Sequence, residues 1–344
     1  MTRYIVRRLL QAIPLLFIIS MVVFALMMTA SDPLATMGGR RATRASDRER
    51  LIRQLGLDRP IYFQYLYWLV GDDWDRFDLD GDGVRESAGT RRGVLRGDFG
   101  MSLVNRGKPA LQVIGERIPN TLLLMIPAEI VILLGGLAIG IYSALHQYSL
   151  VDHTITAITF VGYSMPIFFI ALLSMYIFAV LFRRWGLPYL PTVGMFDPQA
   201  GKTPLQIVWH MALPVFSLAA ISLAGYSRYI RSAMLEVLSQ DYIRTAKAKG
   251  LPRREVVYVH ALKNAALPIV TLVGLDLPFL LAGALVTESI FAWPGMGRLF
   301  LDHLERADVT VVMGILMISA VAVIVFQILT DITYAWLDPR IRYE

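Results

Sequence analysis

The chain has 344 residues, 56% of them hydrophobic and 17% charged, with a mean hydropathy of +0.54. A soluble domain carries about 25% charged residues. Here the missing charge is concentrated in uncharged runs near the ~20 residues that a spanning helix needs, which excludes an ordinary soluble domain. The net charge of +6 sits beside those runs, where membrane orientation rather than nucleic acid accounts for it; with no cysteine, disulfides, thiolate metal sites and a cysteine nucleophile are excluded.

Arg3, Arg7 and Arg8 precede an uncharged run from Leu9 to Ala30. That run exceeds the ~7–15 residues of a signal-peptide core, and no small-residue cleavage site follows. It is expected as a retained first span, amino terminus inside. Ser31 to Ile118 is long and polar, and alternation of spans places it outside the cytoplasm. Within it, Leu51, Ile52 and Leu55 show helical spacing with Gly56 as the stop, and Pro60 to Val70 is an aromatic run suited to a membrane surface. An acidic, glycine-bearing insertion covers 72–92. Five more apolar segments are expected as spans: Thr121 to Tyr142, Ile155 to Phe182, Met211 to Ser227, Ala265 to Thr287 and Val309 to Thr330. Six spans put both termini on one side. The short loops and tails on that side hold eleven Lys and Arg, against five in the short loops opposite, so that side is read as the cytoplasm. The expected fold is an all-α membrane protein in three parts: 1–30, the extracytoplasmic segment 31–118, and a five-helix core over 119–344 that carries a cytoplasmic insert at 241–268.

The insert, DYIRTAKAKGLPRREVVYVHALKNAALP, is basic and helix-prone. Asp241 is a plausible cap, and Tyr242 to Lys249 reads as about two turns. Ala246 and Ala248 are small enough to let another surface approach the backbone. Gly250 is a natural helix stop, and Pro252 opens a second helix with an apolar face of Val256, Val257, His260, Ala261 and Ala265. The residues alone also fit an ordinary basic cytoplasmic loop.

Glu129 and Asp276 fall near mid-depth of the second and fifth spans. An acid there costs roughly 3 kcal/mol or more and faces protein or water. Both a pathway lining and a structural pair remain open, and Ser164, near a bend before Pro166, joins them as a polar candidate. In the insertion, Asp78, Asp80, Asp82 and Gly83 fit the start of a calcium loop, with Glu86 at position nine, but position twelve is Gly89 instead of glutamate. A structural calcium and a solvated acidic turn are the two readings. The histidines show no metal-ligand spacing. There is no G-x-x-x-x-G-K-[ST] phosphate loop, so any ATP hydrolysis must reside in another subunit.

Several stretches, together and in order, resemble the dipeptide, oligopeptide and nickel permeases of ABC importers: RYIVRRLLQAIPLLF, QLGLDRPIYFQYLYWL, GDFGMSL, IPNTLLL, LPTVG, ESIFAWPGMGRL and the terminal DPRI. So do Arg244-Thr245-Ala246, Ala248-Lys249-Gly250, His260-Ala261-Leu262, Asn264-Ala265 and Leu267-Pro268 of the insert. The long segment after the first span is similar to the first of the two partner permeases. The resemblance implies a type I importer architecture in a bacterial or archaeal cytoplasmic membrane. It also implies a heterodimer with a second permease, two cytoplasmic ATPases that bind ATP and Mg, and an extracytoplasmic solute-binding protein that delivers peptide. No cofactor for chemistry is expected on this chain, and it is not expected to be an enzyme. The coupling residues implied are Tyr242, Arg244, Thr245, Ala246, Lys247, Ala248, Lys249 and Gly250, with Ala246 and Gly250 least tolerant of bulk. The general coupling pattern begins Glu-Ala-Ala, where this chain has Arg244, Thr245 and Ala246. A nickel or other small-solute importer is the alternative within transport. An intramembrane enzyme would need a catalytic dyad, and none is evident; a channel or sensor subunit would not need an ATPase-docking insert.

Overall fold

A computed structural model describes residues 2–30, 49, 52–53, 56–78, 84–105, 107–278, 280 and 283–337. Long apolar stretches can satisfy their own backbone polar groups in a bilayer only as helices or closed barrels, and helices dominate here. They are α1 (Thr2–Ala30), α2 (Ile61–Val70), α3 (Ala110–Gly115), α4 (Ile118–Leu145), α5 (Leu150–Ser164), α6 (Ile167–Arg184), α7 (Pro204–Leu238) and α8 (Asp241–Ala248). Then follow α9, which runs from Arg253–Glu255 through a π turn at Val256–Ala261 into Leu262–Asp276, α10 (Leu285–Ile290), α11 (Met296–Glu305) and α12 (Val309–Leu337). A two-stranded hairpin, β1 (Arg76–Phe77) with β2 (Ser87–Ala88), pairs Arg76 with Ala88.

Among the described residues, five helices are long and apolar enough to cross a membrane, and six if the two halves of α9, bent by 53° next to Pro268, count as one span. Two expected spans are not continuous helices. The third breaks between α5 and α6, where Met165 is extended (φ −90°, ψ 136°) because the ring of Pro166 disfavours helical geometry in the residue before it. The fifth ends as a helix at Asp276, and Pro278 separates it from α10. The fourth is longer than expected: α7 has 35 residues, about 52 Å at 1.5 Å per residue, starting from Thr203, whose side chain caps Gln206.

The chain forms two compact units: Arg7–Pro119 with Leu299–Val321, and Met1–Val6 with Asn120–Arg298 and Ala322–Glu344. In the first, the aromatic run of α2 packs on α1. The Tyr65 ring meets Phe24 edge-on at 5.5 Å, Trp68 lies 6.0 Å from Phe24, and the Ser20 and Tyr65 hydroxyls are 2.8 Å apart. Val309, Val312 and Met313 close the same cluster. Asp308, fully buried, accepts from Ser102 Oγ at 2.6 Å and from the Val104 amide.

The acids at the start of the insertion serve this unit's own structure. Asp72 pairs with Arg91, Asp73 with Arg96, and Asp75 accepts from the Tyr67 hydroxyl. A Cβ at Gly89 would lie 2.1 Å from the Asp72 carbonyl oxygen, which explains glycine where a calcium loop needs glutamate. Asp78 and the exposed Glu86 flank the hairpin tip; Asp80 and Asp82 lie outside the described residues. The Tyr67 hydrogen bond, assisted by the Arg76 amide and Arg59, holds the Asp75 carboxyl below the usual range, while burial and Asp75 push the Tyr67 hydroxyl up to about 12. Because the folded carboxyl is depressed, its contribution is complete above its unfolded value near pH ~4 and is lost as pH falls through the folded value. Protease protection of the hairpin is therefore expected to be flat at neutral pH and to fall below about pH 4; unchanged protection there would contradict the role given to Asp75.

In the second unit, Gly136 and Gly140 of α4 face α7. A Cβ at either would lie 2.8 Å from the Tyr226 or Ile230 side chain. Small residues at four-residue spacing let two helices approach closely, and this approach seats Tyr226. Ile243, Ala246, Val256, Val257, Ala261 and Ala265 join Ile230 and Met234 in one buried cluster.

Candidate coupling and pathway sites

The insert folds as the sequence leads one to expect in outline. Tyr242 to Ala248 lies in α8, and Gly250 ends it with φ +79°, a left-handed geometry that costs other residues roughly 1–2 kcal/mol. Pro252 precedes the next helix, and Val256, Val257, Ala261 and Ala265 are buried, with His260 partly so. Two details differ. Asp241 is the first helical residue and not the cap: Gln240 holds that position without a side-chain bond, and the Asp241 carboxylate lies 3.4 Å from Arg244. Ala246 faces inward, 7% exposed, beside the fully buried Ile243. Its methyl is small because the chain's own core leaves no more room, and its side chain is not presented to a partner. Tyr242, Arg244, Thr245, Lys247, Ala248, Lys249 and Gly250 are all exposed, giving α8 a basic outer face on an apolar base. The helix is thus attached by its inner face to α7 and α9, whose ends it joins.

Glu129 and Asp276, separate in sequence, are brought together by a residue the sequence did not single out. The Tyr226 hydroxyl lies 2.8 Å from Glu129 Oε1 and 2.6 Å from Asp276 Oδ2. Tyr226 is 4% exposed. A phenol has one proton to donate, so both contacts are fully satisfied when one carboxyl also carries a proton. The triad ties α4, α7 and α9 together. Asp276 is the last residue of its helix, so the triad anchors the end of α9 that precedes Pro278. Read from sequence, Tyr226 is one more aromatic at the end of an apolar run; only the approach at Gly136 reveals its partners. Ser164 is not part of this group. It ends α5, exposed, with its hydroxyl donating to the Phe160 carbonyl at 2.9 Å. Tyr226→Phe removes the bridge and leaves two acids without it, a loss of about 1–3 kcal/mol. The expected result is a lowered melting temperature of the purified protein, partly restored by adding Glu129→Gln; an unchanged melting temperature in Tyr226→Phe would count against the triad.

A second polar centre sits at ESIFAWPGMGR. Glu288, fully buried, accepts from Thr121 Oγ1 at 2.9 Å and from the Arg298 amide at 3.0 Å, with the Gly297 amide also directed to it. Thr121 Oγ1 in turn accepts from the Met296 amide at 2.7 Å. A carboxylate thus satisfies orphan amides in the first turn of α11 from outside the helix, as a capping side chain does from within. Around it, the Trp293 indole donates to Asn120 O, and Asn120 Nδ2 to Pro294 O. Ala292 is held left-handed (φ 49°), and its carbonyl accepts from Arg298 Nη1. Sequence reasoning read this stretch only as a mark of resemblance; its single acid beside two glycines was the available signal.

Among the described residues no group of three or more His, Asp or Glu converges as a metal site.

Residues 136–343 match the family described as binding-protein-dependent transport system inner membrane component, and residues 1–125 match the N-terminal component of such systems. The chain belongs to this family. The oligopeptide transport system permease protein AppB of Bacillus subtilis is 39% identical over 344 residues, covering all of both chains. The dipeptide transport system permease protein DppB of Escherichia coli is 36% identical over 366 aligned residues, again covering both completely. The glutathione transport system permease protein GsiC of Escherichia coli is 34% identical over 345 residues, at full coverage of each. The chain is accordingly a permease subunit of an ABC importer, a multi-pass membrane protein, and not an enzyme.

Proposed function

We propose that this permease forms half of the pathway by which an ATP-driven importer carries peptides across a bacterial or archaeal cytoplasmic membrane. Full-length similarity to permeases named for oligopeptide, dipeptide and glutathione transport supports the substrate class. In this reading the chain crosses the membrane six times with both termini inside, α9 supplying the fifth crossing, and the segment 31–118 faces a solute-binding protein. A second, homologous permease completes the pathway, and two ATPases bind from the cytoplasm.

The observation that carries the coupling role is the two-sided construction of α8. Ile243 and Ala246 anchor it in the permease core, while Tyr242, Arg244, Thr245, Lys247, Ala248, Lys249 and Gly250 face outward. A helix fixed on one side to two spans and free on the other can transmit a pull from an ATPase to both. The Glu129–Tyr226–Asp276 triad lies at the end of α9 that precedes Pro278, so Glu129 and Asp276 act as the polar group that holds the pathway helices in one arrangement, with Ser164 as a separate polar contact on the exposed end of α5. The test is co-purification and reconstitution: a complex with a second permease and two ATPases, hydrolysing ATP in response to a peptide-loaded binding protein, supports the reading. At the hairpin tip, a structural calcium held by Asp78, Asp80, Asp82 and Glu86 would stiffen the outer segment. Calcium is then expected to slow proteolysis between β1 and β2, and identical digestion with calcium and with chelator would sink it.

A further inference from the structure

A cavity of about 130 Å³ lies between α4, α5 and α7. Ile139, Ile155 and Phe160 give it apolar walls, Thr156 and Thr159 add hydroxyls, and two arginines, Arg228 and Arg231, border it one helical turn apart on α7. The two are not equivalent. Arg231 is neutralised: its Nη2 and Nε reach Asp152 Oδ2 and Oδ1 at 3.0 and 3.2 Å. Arg228 is exposed, its guanidinium stands 5.5 Å from the Tyr163 ring centroid, and no described carboxylate pairs with it. One unneutralised cation therefore borders a mainly apolar recess that also holds the Ser143, Thr156, Thr159 and Ser227 hydroxyls.

Depth limits what can bind there. Arg228 is ten residues before the end of α7, about 15 Å along the axis, and α7 at about 52 Å overshoots a hydrocarbon core of about 30 Å. With the coupling helix on the cytoplasmic side, Arg228 falls at the inner boundary of the bilayer. Basic recesses between spanning helices on that side suit anionic lipid headgroups. Volume argues the same way. Pockets that enclose whole small-molecule ligands run to roughly 300–1,000 Å³, so this recess is too small for a peptide but large enough for a phosphate and the first methylenes behind it.

We propose that this recess is a site for an anionic phospholipid of the inner leaflet. Arg228 binds the headgroup phosphate through its planar fork of donors, and Ile139, Ile155 and Phe160 receive the start of an acyl chain. The inference rests on the proposed orientation but not on the identity of the transported solute.

The test uses the assembled transporter in nanodiscs of phosphatidylcholine alone or with phosphatidylglycerol, counting retained phosphatidylglycerol by native mass spectrometry. The wild type is expected to retain phosphatidylglycerol, Arg228→Gln to lose roughly tenfold in its affinity, as expected for one charge-assisted hydrogen-bonded contact, and Arg228→Lys to lose less. Equal retention by wild type and Arg228→Gln would overturn the proposal. Full displacement by glycerol phosphate at millimolar concentration would make this a site for soluble phosphate and overturn the lipid assignment. Equal loss of peptide-stimulated ATP hydrolysis by Arg228→Gln with and without phosphatidylglycerol, at unchanged lipid retention, would assign the arginine to the solute's carboxylate and overturn it as well.

Discussion

Gly250→Trp is expected to abolish peptide uptake, with ATP hydrolysis either uncoupled from peptide or lost with the ATPase from the complex, whereas Gly250→Ala keeps most of the uptake. Two costs are separable at this position. Gly250 has φ +79°, so any other residue is strained there by roughly 1–2 kcal/mol. Alanine and tryptophan both meet that strain. They differ in bulk, and the position is open on this chain: outside its two neighbours, no heavy atom lies within 4 Å of a Cβ built at Gly250. With both variants folded, a difference between them points to a partner surface against the end of α8. Ala246 cannot be used in the same way. It is packed in the permease core, so a large side chain there overfills the chain's own interior, at a typical cost of 1–3 kcal/mol, before any partner is involved. Wild-type uptake with Gly250→Trp, confirmed as folded by its elution profile, would remove the docking role from this helix end.

The largest loss of stability is expected from Glu288→Ala. The substitution leaves the Thr121 hydroxyl and the Arg298 and Gly297 amides without their acceptor in a buried site, and each unsatisfied group costs about 1–3 kcal/mol, for a total on the order of 3 kcal/mol or more. Glu288→Gln keeps the size and one acceptor oxygen. Its amide group can donate to Thr121 Oγ1, so an intermediate loss is expected. Gly295→Ala should resemble Glu288→Ala, since the added Cβ would stand 2.4 Å from the carboxylate. Thermal unfolding of the detergent-purified protein reads the order: wild type, then Glu288→Gln, then Glu288→Ala and Gly295→Ala together. Equal melting temperatures for Glu288→Ala and wild type would show that the first turn of α11 does not depend on the carboxylate.

The two sites were legible in the sequence to different degrees, for physical reasons. Apolar run length located helices along the chain because backbone hydrogen bonding in a membrane leaves few alternatives. It did not show where they break. The sequence placed a bend at Pro166, but because prolines are common within spans it did not show that helices end at Met165, before Pro166, and at Asp276, before Pro278. The local signals of the coupling helix, Gly250 as stop and Pro252 before the next helix, are properties of single residues, and they were correct. The direction in which Ala246 points depends on packing against α7 and α9, which no local signal carries. Tyr226 and Glu288 were missed for the same reason. Each draws its meaning from residues far along the chain, Tyr226 from Glu129 and Asp276, and Glu288 from Thr121. Glu129 and Asp276 were singled out because a lone acid in an apolar run is costly, and that cost is what the hydrogen bonds of the triad offset.

The central claim is that this permease moves peptides using energy received through α8. Its most direct test is ATP hydrolysis by the complex of this chain, a second permease and two ATPases, reconstituted in liposomes with a binding protein, with and without peptide. The account predicts peptide-stimulated hydrolysis coupled to uptake in the wild type, and loss of that coupling in Gly250→Trp but not in Gly250→Ala. Peptide uptake by this chain alone, without ATPases, or identical coupling in wild type and Gly250→Trp, would contradict it.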